Sequence, residues 1–452
     1  MEPRSQRPDS SRSTGGPRGR ASVSGSRRRL GHGGGVTGVA ADSRGKVSLK
    51  IGLCLSGGGF RASFYALGVL RYLAEGNLLK DVVSVSAVSG GSIIAAVLAD
   101  RGDALAAEGW TLDALLEHVD QPFRQVVTTR NLRNRWLARA LGARLRGRRV
   151  GRGFILGEVL ADYLYQTRHV RDLPSLPQVI LTATDLASGR AFRIARDFIG
   201  SYAFGYVEPA PPSVELGFAA AASAAVPALF APVSLRTGGL ALHDAPPVLS
   251  LGDGGIYDNL GLEWFQGWHS GRPSSAVRPD FLIVANAGGI LHRTSHPYGG
   301  LRALWRSKDV QYSQTTALRI RWFVGDLLGD RERGVYLGIA LDPRQYLLPD
   351  GTPIHPHQYE GALPSALVTP LAGLRTDLDR FCPEEAGLLS YHAYWSTHAR
   401  IASLYPELAV AAPKWRAFAT VAPEDAERLR RLLVSGAKRL RRPRRRPRRA
   451  LG

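Results

Sequence analysis

Short runs of β-branched and apolar residues alternate along the chain with longer stretches in which apolar residues recur every third or fourth position. Val47 to Ser56, VSLKIGLCLS, reads as a first strand, which Gly57-Gly58-Gly59 ends. Phe60 to Gly76 places Leu67, Leu70 and Leu73 at helical spacing and reads as a helix. Val82 to Val88 is a second strand and Gly90 to Asp100 a second helix. This order, strand, loop, helix, repeated twice in a short span, predicts a parallel α/β architecture. Gln178 to Asp185 and Phe281 to Asn286 read as further strands, and long helices are expected near residues 301–323 and 383–403.

Two stretches need more than periodicity. Residues 124–152 carry Leu132, Trp136, Ala140, Leu141 and Leu145 at helical spacing with arginines between them, which predicts a basic amphipathic helix. It would be either a surface lid with a solvated basic face or a membrane-facing element. Residues 217–235 are the most apolar long run, but they include Ser223, Ser234, Pro227 and Pro232 and lean on alanine. A buried core segment is expected there, not a membrane span.

The 452 residues carry a formal net charge of +21, unevenly distributed. Residues 1–30 have a net charge of +6, residues 436–452 of +9, and residues 124–152 of +10 with no acid among them. The remaining body is therefore near neutral, and the basicity suggests an acidic partner for the tails and the internal segment: anionic membrane, nucleic acid or another protein. Residues 1–46 have no Phe, Trp or Tyr and are expected to be disordered, as is the basic tail from 436. Cys54 and Cys382 are too few for a disulfide framework and form no CxxC pair. No apolar signal region opens the chain, so a cytoplasmic protein is expected, peripheral at the membrane if the basic segments bind lipid.

The candidate chemistry lies at the strand ends. Ser56-Gly57-Gly58-Gly59-Phe60-Arg61-Ala62 joins a strand to a helix. It lacks the Lys and Ser/Thr of a Walker loop. As a dinucleotide loop it wants an acid at the end of the next strand, where Ser89-Gly90-Gly91 stands instead. Successive glycines at a helix start do suit an oxyanion hole. Ala87-Val88-Ser89-Gly90-Gly91 approximates the G-x-S-x-G nucleophile elbow, in which small neighbours let strand and helix approach closely. Asp253, followed by Gly254 and Gly255, is an ordinary Asp-Gly turn when taken alone. Of eleven histidines none has a distinctive setting; His243 and His292 follow apolar runs.

Together these blocks resemble the patatin-like phospholipase family. SGGGFRAS is similar to its glycine-rich loop, AVSGG to its nucleophile motif and Asp253-Gly254-Gly255 to its D-G-[AG] motif, with secondary likenesses at 182–190 and 221–233. The likeness runs from about residue 47 to 290. It implies a three-layer α/β/α fold with a mainly parallel central sheet and hydrolysis of lipid acyl esters by a Ser–Asp dyad without histidine. Ser89 would be the nucleophile and Asp253 its base. Gly58 and Gly59, joined by Gly57 and Arg61, would form the oxyanion hole. Ala62 and Ala87 depart from the family's glycines and bear on pocket shape.

The expected organisation is a basic tail (1–46), a catalytic core (47–290) with the basic insertion at 124–152, a mainly helical C-terminal extension (291–435) and a basic tail (436–452). No cofactor and no metal are called for, since no HExxH, EF-hand or Cys/His cluster appears. Two other readings stay open: a Ser-His-Asp esterase using His292 or His243, and a catalytically silent protein whose tails bind lipid or nucleic acid. Oligomeric state is not legible.

Overall fold

The computed structural model describes residues 49–147, 150–227, 230–266, 271–289, 291, 299–416 and 425–437. The N-terminal tail, most of the C-terminal tail and His292 lie outside the described residues. From Leu49 onward the chain forms one compact unit.

Period-2 alternation in the central strands decides the layering. In β1 (Ile51–Leu55), Ile51, Leu53 and Leu55 enter one hydrophobic core while Cys54 enters another. The strand Phe281–Asn286 does the same: Phe281, Ile283 and Ala285 face the first core, Leu282 and Val284 the second. Successive side chains point to opposite faces of a sheet, so both faces are covered. The first layer holds α1 (Gly59–Glu75) and, after β2 (Val82–Val88), α2 (Gly90–Asp100). Both strand–helix pairs lie where the sequence places them.

The short α3 (Gly102–Ala107) and α4 (Leu112–Leu115) follow. A π-helical turn, Leu116–Asp120, leads into α5 (Gln121–Thr129). The basic segment then breaks into separate helices, contrary to the single helix expected. Arg130 is extended, and Asn131 caps a new helix, α6 (Leu132–Leu145), by accepting from the Asn134 N–H at 2.9 Å. Gly147 has φ +69° and α7 (Arg152–Leu164) starts after it. Leu132 and Trp136 turn inward, and the Trp136 indole N–H donates to the Arg152 carbonyl at 2.9 Å. Leu137, Leu141 and Leu145 point to solvent.

The remaining strands are β3 (Gln178–Asp185), β4 (Arg190–Ile194), β5 (Ile199–Ser201) and β6 (Gly205–Val207). After α8 (Leu216–Ala224) come β7 (Val233–Arg236), β8 (Val248–Asp253) and β9 (Phe281–Asn286). The alanine-rich run is thus a buried helix and an edge strand, and no helix among the described residues is long and apolar enough to cross a membrane. α9 (Gly300–Leu328) precedes β10 (Gly334–Gly338), followed by α10 (Ser365–Ala372), α11 (Pro383–Leu404) and α12 (Ala426–Ala437).

The sheet order is β10-β9-β1-β2-β3-β4-β5-β6, with β8 paired to β3 and β7. β10, β9, β1, β2 and β3 run parallel, and the strands beyond β3 are antiparallel. One strand of the expected helical extension, β10, therefore belongs to the sheet. α11 packs along α1 on the first face, and Phe323 of α9 is buried in the core of the second.

Candidate active site

β2 and β8 reach the same edge of β3 from opposite ends. β2 runs parallel to β3 and finishes with Val88 opposite Thr182. β8 runs antiparallel and finishes with Asp253 opposite Ala183, one residue further on. The other edge of β3 is taken by β4 over Leu181–Asp185. The register therefore places the residue after Val88, Ser89, beside Asp253. Both are buried, at 6% exposure.

Ser89 sits at φ 51° and ψ −118° between β2 and α2, an uncommon conformation for a residue with a side chain. Its backbone N–H donates to Ser223 Oγ at 3.0 Å. The Ser223 hydroxyl in turn donates to the Thr182 carbonyl at 2.6 Å and lies 2.7 Å from Ser92 Oγ. The elbow is thus pinned to β3 through a serine of α8. Gly90 and Gly91 are required by contact: a Cβ on Gly90 would collide with the Gly59 carbonyl, and one on Gly91 with that of Leu55. Ser63 Oγ donates to the Gly90 carbonyl at 2.6 Å and ties the two glycine loops together.

In the first loop Gly58 has φ 142° and Gly59 φ 58°, which only glycine adopts without strain. The N–H groups of Gly58, Gly59 and Gly90 make no hydrogen bond among the described residues. They stand at the starts of α1 and α2, whose first turns carry no acid. Free donors at two helix starts favour negative charge there.

Two of the expected oxyanion groups are otherwise engaged. The Gly57 N–H donates to the Asn259 carbonyl at 3.0 Å. The Arg61 guanidinium is buried and donates to the carbonyls of Ala287 (2.6 Å from Nη2), Ala372 (2.9 Å) and Leu374 (2.7 Å). Burial pulls its pKa down to about 10. It clamps the glycine loop onto the chain after β9, with four of its five N–H donors spent on these carbonyls.

Asp253 Oδ1 accepts from the Gly255 N–H at 2.7 Å. Burial pushes the carboxyl pKa up to about 6; the Ser89 hydroxyl and the Gly255 N–H act in the opposite direction. Oδ2 closes no well-formed hydrogen bond. The Ser89 hydroxyl is thus near enough to favour the ionised carboxylate without completing a bond. Gly254 presses on the Thr182 carbonyl, which leaves no room for a Cβ.

Three residues not singled out for chemistry complete the site. Besides Ser223, Asn259 places its side-chain oxygen against Gly57 and Gly255, and its Nδ2 is buried without a partner. Tyr312 of α9 reaches in with its ring edge against Gly255. Burial drives its hydroxyl pKa well above the usual range, and Asp253 adds to the effect. Ser223 had a sequence signal, a lone hydroxyl in an alanine helix; Tyr312 had none. Asp258 accepts from the Leu260 and Glu263 N–H groups and pairs with Arg319, a turn-holding role.

No histidine among the described residues hydrogen-bonds Ser89 or Asp253. His243 is exposed and lies against Gly205. Glu108, Glu117 and His118 bring ligand atoms within 4.8 Å of one another, but at the surface and outside this site.

A family model described as patatin-like phospholipase matches residues 53–264. A structure of human GIVD cytosolic phospholipase A2 in complex with methyl gamma-linolenyl fluorophosphonate has a TM-score of 0.44 at 12% identity, covering 86% of this chain and 60% of that one. VipD from Legionella pneumophila has a TM-score of 0.24 at 15% identity, covering 54% and 52%. The chain thus spans less than two thirds of the length of these structures. A search of curated proteins gave no match.

Proposed function

Since residues 53–264 form a domain of the patatin-like phospholipase family, we propose that the protein is a serine hydrolase of lipid acyl esters using Ser89 and Asp253 as a dyad. The observation that carries this reading is the placement of a buried carboxyl, with its pKa raised to about 6, beside a hydroxyl on a strained strand-to-helix turn. A base of that pKa is largely ionised at neutral pH and still basic enough to accept a proton.

In this reading Ser89 Oγ attacks the ester carbonyl carbon while its proton passes to Asp253. The carbonyl oxygen becomes an oxyanion facing the N–H groups of Gly58, Gly59 and Gly90. As the intermediate collapses, the C–O bond to the alcohol breaks and Asp253 protonates the departing oxygen. Water then loses a proton to Asp253 as it adds to the acyl-serine. A second collapse releases the fatty acid, and Ser89 recovers its proton. Removing one oxyanion donor of such a site costs roughly 100-fold or more in rate.

The basic segment supports peripheral contact with anionic membrane. α6 shows Leu137, Leu141 and Leu145 as an exposed stripe with Arg135, Arg144 and Arg146 around it, and no acid lies between residues 121 and 157. Such a helix suits an anionic lipid surface. The arginine-rich tails would add to that attraction and also suit nucleic acid.

Fluorophosphonate labelling with peptide mapping tests the dyad. A single adduct on Ser89, lost in Ser89→Ala and strongly slowed in Asp253→Asn, is expected. A folded wild type that takes no label would move weight to the silent lipid- or nucleic-acid-binding reading. Full labelling in Asp253→Asn would sink the dyad and reopen the histidine alternative.

A further inference from the structure

Gly255 follows Asp253 by two positions, and the space beside its Cα is closed from three sides. A Cβ built there would lie 2.8 Å from Asn259 Oδ1, 2.9 Å from Asp253 Oδ1 and 3.3 Å from Tyr312 Cε2. Two oxygens of the turn after β8 and one ring edge of α9 thus meet at a single point. Asp253 Oδ2 is shut off from solvent and closes no hydrogen bond. The other groups around this residue are small and neutral. Its N–H donates to the Ala225 carbonyl at 3.0 Å, Ala183 stands opposite on β3, and Thr184 Oγ1 donates to its carbonyl at 2.9 Å. Among these neighbours Tyr312 brings the largest apolar surface.

The face of α9 that carries the ring also aims it. Tyr312, Arg319 and Phe323 recur at i, i+7 and i+11, which is one face of a helix. Phe323 is buried in the second core. Arg319 donates to the Tyr257 carbonyl at 3.1 Å and pairs with Asp258 at 3.3 Å, so α9 is tied to the turn that follows Asp253. Taking water away from a carboxyl disfavours its charged form and makes it a stronger base. The Ser89 hydroxyl from the elbow and the Gly255 N–H from the turn favour the ionised form, and Tyr312 faces it from α9. Of the nearby cations, Arg319 pairs with Asp258 and Arg61 is bonded to carbonyls. Neither acts on Asp253 to offset its burial.

We propose that Tyr312 is a positioning residue for the base: its ring seals the turn after β8 and keeps water off the Asp253 carboxyl. The inference rests on the Ser89–Asp253 reading. It gives the C-terminal extension a part in that chemistry, because α9 lies outside the matched residues 53–264. The ring makes the contact, so phenylalanine preserves the role and alanine removes it.

Profiles of kcat/KM against pH on a soluble short-chain ester test this in wild type, Tyr312→Phe and Tyr312→Ala. Wild type and Tyr312→Phe are expected to share an acid limb that breaks at about 6. In Tyr312→Ala the limb is expected to move down by roughly one pH unit, which leaves about fivefold more of that variant's own plateau rate at pH 5. The plateau itself is expected to fall, since a weaker base takes the proton less readily. A lower plateau with an unmoved limb in folded Tyr312→Ala would overturn the proposal, because a purely structural role predicts that result. A limb displaced as far in Tyr312→Phe would also overturn it, by assigning the effect to the hydroxyl. If Tyr312→Ala does not fold, Tyr312→Gln puts a hydrated amide in the ring's place and carries the same expected shift. Carbon-13 titration of the Asp253 carboxyl, identified by the signal that Asp253→Asn removes, reads the shift without catalysis. A shift in a protein that takes no fluorophosphonate label would remove the hydrolase reading and leave the seal. A labelled wild type with no shift between variants would do the reverse.

Discussion

Ser89 and Asp253 are neighbours because the two strands that carry them end one residue apart along a single edge of β3, opposite Thr182 and Ala183. Their separation is therefore set by backbone register, which hydrogen bonding along β3 fixes, and does not depend on a flexible loop. Ser223 reinforces the same point by bonding both the Ser89 N–H and the Thr182 carbonyl.

The first prediction concerns pH. If Asp253 is the base, only its ionised form works, and its carboxyl pKa is raised to about 6. kcat/KM on a soluble short-chain ester should fall about tenfold per pH unit below 6 and level off above it. A profile flat down to pH 4 would remove Asp253 as the base.

The same shift predicts a stability effect. The native carboxyl holds its proton more tightly than the unfolded one, whose usual value is 3.8. Below pH 4 both states are protonated and Asp253 costs nothing. As pH rises through 4 to 6 the unfolded state ionises first, and the native state loses stability relative to it. The loss amounts to about 3 kcal/mol above pH 6. Asp253→Asn should therefore melt higher than wild type at pH 7.5, with the gap closing towards pH 4, as thermal unfolding at both values will show.

Ser223→Ala should uncouple the elbow from β3. It leaves the buried Ser89 N–H without its acceptor and the Thr182 carbonyl without its donor. A loss of roughly 1–3 kcal/mol is expected in denaturant unfolding. If Ser89 is the nucleophile, kcat should fall with little change in KM, because Ser89 loses its fixed position.

Leu141→Glu on α6 should weaken sedimentation with vesicles containing phosphatidylglycerol and leave hydrolysis of a soluble ester intact. Leu141 is 59% exposed, so the substitution has no core to disturb. Unchanged sedimentation would assign the basic helix a solvated surface role. Equal loss on phosphatidylcholine vesicles would make the contact apolar and independent of headgroup charge.

Strand and helix positions around both glycine loops were determined by the sequence, because β2, β3 and β9 are short apolar runs bounded by glycines or polar residues, and α2 starts on a glycine pair that nothing bulkier could replace. The serine, the aspartate and the glycine triplet were legible for the same reason: each stands at a strand end, where local pattern and chemistry coincide. The break in the basic segment was less so, since no glycine or proline stands beside Asn131 to mark it and the cap acts only once its side chain turns back on the chain. The tertiary structure alone decided which N–H groups stay free. Gly57 loses its own to Asn259, 202 positions away in sequence, and Arg61 spends its guanidinium on carbonyls at 287, 372 and 374. It also decided that Tyr312, on a helix with no local mark of function, enters the site. Local pattern reports what a residue is able to do within its own element, whereas the partner that satisfies a buried donor arrives from wherever the fold brings it.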